Sequence, residues 1–214
     1  MIYKEGDIGI YEVFFNYEWQ MIIANFKNSE TILITDANGL CTNIYSVSED
    51  EIVEINKFIS SHHQSFDLLK TVIDSFTYSY KLLYDAKAFE QLVTSAEILF
   101  LPKNQVNKKE TLSKRMAMFI GKDDSEILNI YTDMKSYYKY RSDSTHEGID
   151  TNITKQALLS LREFTRKAIR KYMQITENEL LTNPTSDFQS IKTKIVSNLI
   201  TEVSLKISSG VLPI

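Results

Sequence analysis

SEILNIYTDMKSYYKYRSDSTHEG, residues 125–148, is the stretch that decides the fold. Its apolar side chains, Ile127, Ile130, Tyr131, Met134, Tyr137 and Tyr138, return at steps of three and four, the period of an amphipathic helix. Asp123 with Glu126 three residues on predicts the helix start. Arg141 continues the apolar stripe, and a charged head there must reach a partner, water or a cleft. Ser142, Asp143, Ser144 and Thr145 are better turn formers than helix formers, so the helix is expected to end near Arg141. A break there lets the chain fold His146 back toward Arg141, and Gly148 permits a tight exit. If the helix ran on instead, the two side chains would stand about 140° apart.

Outward from this stretch the period stays helical. Phe66, Leu69, Ile73, Phe76, Tyr80 and Leu83 follow it first, then Phe89, Leu92, Val93, Ala96, Leu99 and Phe100, with Pro102 as a stop. Asn107 with Glu110 predicts the cap of a helix striped by Leu112, Met116, Phe119 and Ile120 and ended by Gly121. A further helix begins near Asn152 and carries Leu158, Leu161, Thr165, Ala168, Ile169 and Tyr172. Beyond NPTSD, Phe188, Ile191, Ile195, Leu199 and Val203 mark a last one. The first ~47 residues differ, because IGIYEVFF, WQMIIANF, TILITD and NIYSV read as short strands around turn signals such as Asn38-Gly39. The expected fold is mainly α. A four-helix up-and-down bundle lies within 64–180, a β-rich N-terminal lobe covers 1–60, and a C-terminal helix over 186–214 packs on the bundle, which makes the whole α+β.

Cys41 is the only cysteine, so no intrachain disulfide forms. No apolar run approaches a membrane span, and the N-terminus lacks the layout of a signal peptide. These features point to a reducing, cytoplasmic setting without membrane contact. His62-His63 with Asp67 lacks a third strong ligand and reads as a loop, not a metal site. Walker-type loops, dinucleotide fingerprints and Gly-x-Ser-x-Gly elbows are missing, so neither a cofactor nor a metal is expected.

Charge is uneven. Residues 1–100 carry 6 basic and 15 acidic side chains, a net of −9, whereas residues 101–175 carry 15 basic and 9 acidic, a net of +6. The basic block fits either an ordinary solvated face or an anionic ligand such as nucleic acid. Arg162, Arg166 and Arg170 fall on one four-residue stripe that can track an RNA backbone or simply face water. Tyr140 lies off its helix's apolar stripe and is the better candidate for stacking on a base. Arg115, between Leu112 and Met116, is expected to pair with Glu97 as a structural tie between helices.

FEQLVTSAEILFL (89–101), KKETLSKRMAMFIG (108–121), SEILNIYTDMKSYYKYRSDSTHEG and the long amphipathic helix that follows resemble the HEPN superfamily, most closely its Apea-like branch. The likeness rests on Ala96-Glu97 near the end of one helix, Arg115-Met116-Ala117 on the next, and Tyr138 to Gly148 with its Arg-x4-His element. It covers about residues 85–175. Glu147 departs from the pattern, in which glycine often follows the histidine directly; a carboxylate beside His146 can raise its pKa or repel a phosphate.

The resemblance implies a metal-independent endoribonuclease of toxin or antiviral-defence type, with Arg141 and His146 as its catalytic pair. Histidine can take or give a proton at neutral pH, and an arginine fork can bind the charged oxygens of a phosphorane-like transition state. One pair supplies one acid or base, so the family's homodimer, with two pairs facing one cleft, is expected here too. Ser142, Asp143 and Glu147 stand beside the pair, and Ser142 and Asp143 either orient it or simply form a turn. Partners then include RNA, a second copy and an antitoxin or regulatory protein. A catalytically silent HEPN dimer used for RNA binding or protein assembly is the alternative, and a sensor role for the N-terminal lobe is a third.

Overall fold

The computed structural model describes Thr31–Thr35, Cys41–Ser46 and residues 63–82 and 84–214. The chain divides into two compact units, Met1–His63 and Gln64–Ile214. In the first, β1 (Thr31–Thr35) pairs antiparallel with β2 (Cys41–Ser46), Leu33 opposite Ile44, with an irregularity between Ile34 and Thr35. A two-stranded ribbon is marginal alone and does not make the β-rich lobe expected over 1–60. IGIYEVFF and WQMIIANF lie outside the described residues.

The second unit is a helical bundle. Its helices are α1 (His63–Leu68), α2 (Lys70–Tyr78), α3 (Asp85–Phe100), α4 (Lys108–Ile120), α5 (Asp124–Glu147), α6 (Lys155–Thr182) and α7 (Phe188–Ser208). The stripes read from the sequence form the core: Phe89, Leu92, Leu99 and Phe100 of α3, Leu112 and Met116 of α4, Met134 of α5, and Leu161, Ile169 and Tyr172 of α6 are fully buried. Phe100, Phe119 and Tyr172 form an aromatic cluster with centroids 5.0–5.7 Å apart.

Contacts fix the helix directions. Ser75 meets Gln91 while Ser95 meets Val72, so α2 and α3 are antiparallel. Glu97 meets Tyr138 while Glu90 meets Thr145, so α3 and α5 are antiparallel as well. Tyr137 lies beside Phe164 and Glu126 beside Lys167, which makes α5 and α6 antiparallel. Strict alternation through α3, α4, α5 and α6 would set α3 and α5 parallel. The up-and-down order therefore runs through α2, α3, α5 and α6, with the shorter α4 inserted between α3 and α5.

Caps explain several boundaries. Asp123 accepts from the Glu126 amide at 2.8 Å, Thr154 from Ala157 at 3.1 Å and Asp187 from Ser190 at 2.7 Å. Asn107 does not cap α4 with its side chain. It adopts a left-handed backbone, φ 50°, and Glu110 is engaged by Tyr131, Lys114 and Lys135 instead.

The end of α3 corrects the expected Glu97–Arg115 pair. Arg115 is buried and donates to the Phe100 carbonyl at 2.6 Å, whereas Glu97 faces α5. Terminal helix carbonyls lack intrahelical partners and carry the negative end of the helix dipole, so a cation from a crossing helix serves them better than a distant carboxylate serves the cation. Tyr172 donates to the Leu99 carbonyl at 2.7 Å, and Lys192 of α7 reaches the Ile98 and Leu101 carbonyls at 2.5 and 2.7 Å. Three helices thus cap the end of a fourth.

Candidate functional site

The last turns of α5 hold the candidate site. Contrary to expectation, the helix does not break after Arg141 but runs to Glu147 and ends at Gly148, φ 69°, whose amide donates to Ser144 and Asp143 carbonyls. The turn-forming tendency of Ser142–Thr145 amounts to a few tenths of a kcal/mol per residue. Side-chain ties oppose it: Lys139 pairs with Asp143 at 2.6 Å one turn on, and Thr145 donates to Glu90 of α3 at 2.9 Å. A glycine in the left-handed region then gives the helix a natural stop.

Arg141 and His146 consequently share one straight run, about 140° apart around the axis and about 7.5 Å along it. His146 is exposed. Arg141 turns toward α3, with its Nη2 3.8 Å from Glu97 Oε2 and its guanidinium 5.8 Å from the Tyr138 ring centroid. Within a single protomer the two residues do not form a pair. Asp143 is engaged by Lys139, Ser142 is half-buried and Glu147 is exposed.

The arginine stripe of α6 is also corrected. Arg162 and Arg166 are buried, at 8% exposure each. Arg162 donates to the Ser79 carbonyl at 3.3 Å and lies 4.3 Å from the Tyr80 ring centroid, and Arg166 pairs with Glu163. A helix packed on α2, α3 and α5 has little free circumference, and the stripe falls on its covered side. Arg170 alone of the three is exposed. Tyr140 is half-buried, its ring 6.2 Å from Tyr137.

Glu90, Tyr138 and Thr145 do not stand out as site residues in the sequence pattern, although they line the same face as Arg141. Tyr138 donates to Glu97 at 3.0 Å, and burial, followed by the Glu97 charge and this bond, pushes its phenol up to about 12. The available signal is the seven-residue spacing of Glu90 and Glu97 on one helix and of Tyr138 and Thr145 on another. Such spacing predicts which residues share a face, not which helix that face meets.

Among the described residues no group of three His, Cys, Asp or Glu side chains stands together as a metal site, and no helix is long and apolar enough to cross a membrane. Compared with protein-family models, curated proteins and solved structures, the chain matches none of them.

Proposed function

We propose that the chain is a HEPN-type, metal-independent endoribonuclease that works as a homodimer, with Arg141 and His146 as the catalytic residues. The observation that carries this reading is their placement: a guanidinium and a solvent-facing imidazole occupy the last two turns of one long helix, where the resemblance puts a catalytic pair. Their divergence around α5 means that one protomer offers no complete site. Two copies facing each other would supply two imidazoles, one to take the proton of the RNA 2′-OH and one to protonate the leaving 5′-oxygen. The 2′-oxygen attacks phosphorus, the P–O5′ bond breaks, and Arg141 neutralises the charge gathering on the non-bridging oxygens. The products are a 2′,3′-cyclic phosphate and a 5′-hydroxyl.

By analogy with that family, the enzyme acts in the cytoplasm as a toxin or antiviral effector, restrained by an antitoxin or regulatory protein. Arg170 and Tyr140 remain the RNA contacts in this scheme; the buried Arg162 and Arg166 do not.

A second reading is favoured by the Arg141–Glu97 contact, which uses the arginine as an inter-helix tie. In that reading the bundle is a catalytically silent module for RNA binding or protein assembly. Cleavage of a mixed RNA pool in EDTA by wild type and His146→Ala separates them, with dimerisation followed by light scattering. An enzyme loses at least ~100-fold in rate on this substitution and keeps its fold. Absence of cutting by both proteins, each still a dimer, selects the silent module.

A further inference from the structure

Two glutamates of α3 and two hydroxyls of α5 meet in matched pairs. Tyr138 donates to Glu97 at 3.0 Å, and Thr145 donates to Glu90 at 2.9 Å. On each helix the two members stand two turns apart, and Arg141 lies between the pairs. Its Nη2 approaches Glu97 to 3.8 Å, while its Nε is enclosed and makes no hydrogen bond. Lys87 does most to hold the Glu90 carboxyl below its ordinary range, with Thr145 and the Arg141 charge adding to it. The guanidinium is thus set near two carboxylates and fully satisfied by neither.

Geometry separates a clamp from a competitor. An arginine clamped for catalysis is held by a short, two-pronged fork. Here a single long approach joins side chains that are 23% and 19% exposed, and a pair this open favours the closed arrangement only several-fold over solvent. A phosphodiester that accepts two guanidinium hydrogen bonds outcompetes it. Both carboxylates stay behind when the arginine turns away, because Tyr138 and Thr145 tether them.

We infer that Glu97, backed by Glu90, is a built-in competitor for the anion that Arg141 binds, masking the guanidinium until an RNA phosphate displaces it. The identity of that anion rests on the ribonuclease reading above. The contact is therefore autoinhibitory, and α3 sets how strongly the strand must bind before Arg141 engages it.

The test uses the full chain and a short fluorescein-labelled RNA of mixed sequence. Binding is followed by anisotropy and cleavage in EDTA, for wild type, Glu97→Gln, Arg141→Ala, the Glu97→Gln/Arg141→Ala double variant and His146→Ala. Glu97→Gln, which keeps an acceptor for Tyr138, is expected to tighten RNA binding about three- to five-fold. Over Arg141→Ala, the same change is expected to add nothing. A gain that persists in the double variant reflects bulk charge and overturns the proposal, as does unchanged or weaker binding by Glu97→Gln. Glu90→Gln is measured alongside in case Glu97→Gln does not fold, since it removes a neighbouring carboxylate and leaves the Tyr138–Glu97 bond intact; the same Arg141-dependent gain is expected. Tighter binding without cleavage by any protein sustains the competitor and rejects the ribonuclease. Cleavage that depends on His146 but is not raised by Glu97→Gln does the reverse. If neither wild type nor either glutamine variant binds RNA, both fail.

Discussion

The phenol of Tyr138 donates its proton to a carboxylate, and ionising it would set two negative charges side by side. Burial and Glu97 together move its pKa to about 12 from the ~10 of a free tyrosine. Because the folded-state value lies above the unfolded one, this group's contribution to stability is whole below pH ~10 and is lost as pH rises toward about 12. Stability measured by urea denaturation is therefore expected to fall across that window in wild type and to fall less steeply in Tyr138→Phe. Parallel slopes would mean that the Tyr138–Glu97 bond is not made in solution. Tyr172 invites a simpler substitution. It is fully buried, and its hydroxyl bonds the Leu99 carbonyl at 2.7 Å. Tyr172→Phe keeps the ring in the Phe100–Phe119 cluster and leaves a buried carbonyl unpaired, an expected loss of about 1–3 kcal/mol. A denaturation midpoint that does not move would show that the carbonyl finds another donor. Neither hydroxyl's partner is legible in the sequence, because both lie on another helix and helical spacing carries no information about what crosses it.

Turns and helix ends divide sharply into those the sequence reveals and those it does not. Asp123 is readable as a cap because the bond it makes is local, to an amide three residues away. Asn107 carries the same pattern and fails it, since its left-handed backbone turns the side chain from that amide and its partner Glu110 is drawn to Tyr131 and two lysines. The end of α5 misleads for the same reason: four weak helix formers say nothing of the α3 glutamate that holds Thr145. Two glycines test the distinction between backbone and packing. Gly148 is left-handed, and a Cβ placed on it would meet nothing within 4 Å, so Gly148→Ala carries only the backbone penalty, about 1–2 kcal/mol. Gly121 has an ordinary φ of −72°, yet an added Cβ would fall 2.6 Å from Ile127 Cγ1 and 2.7 Å from the Ala117 carbonyl oxygen. Gly121→Ala is expected to cost more, up to about 3 kcal/mol, because helix backbone must move at the α4–α5 turn. Thermal denaturation of the two variants side by side gives the order, and a larger loss at Gly148 would contradict it.

At the scale of the molecule, a basic stretch of sequence has not become a basic surface. Within 101–175, Lys114 and Lys135 meet Glu110, Lys139 meets Asp143, Lys167 approaches Glu126 and Glu163, and Arg141 meets Glu97. Arg115 and Lys171 cap carbonyls at 2.6 Å each. Counting charges along a chain misses this, because compensation takes place between helices. The helical period, by contrast, is local, so the stripes and the existence of the bundle are legible while its cross-links are not. Lys192 of α7 is the cross-link with the longest reach. It lies outside the stretch that carries the family resemblance, yet its Nζ bonds the Ile98 and Leu101 carbonyls, and burial, with the Arg115 charge nearby, pushes its pKa down. Ile191, Ile195 and Leu199 bury the same face of α7. Lys192→Met preserves the stem and removes the donor, so it leaves two carbonyls with poorer partners. The expected loss is about 1–3 kcal/mol by urea denaturation, with the slope against urea unchanged, since the apolar face of α7 stays packed. Removing α7 altogether, in a chain ending at residue 185, forfeits three buried aliphatic side chains at roughly 1.5–3 kcal/mol each as well as the cap. That sum approaches the about 5–15 kcal/mol that a whole domain has. The shortened chain is therefore expected to lose its cooperative transition, not merely to shift it. A truncated protein that still unfolds sharply, at a midpoint close to that of the full chain, would make α7 an appendage and the carbonyl cap dispensable.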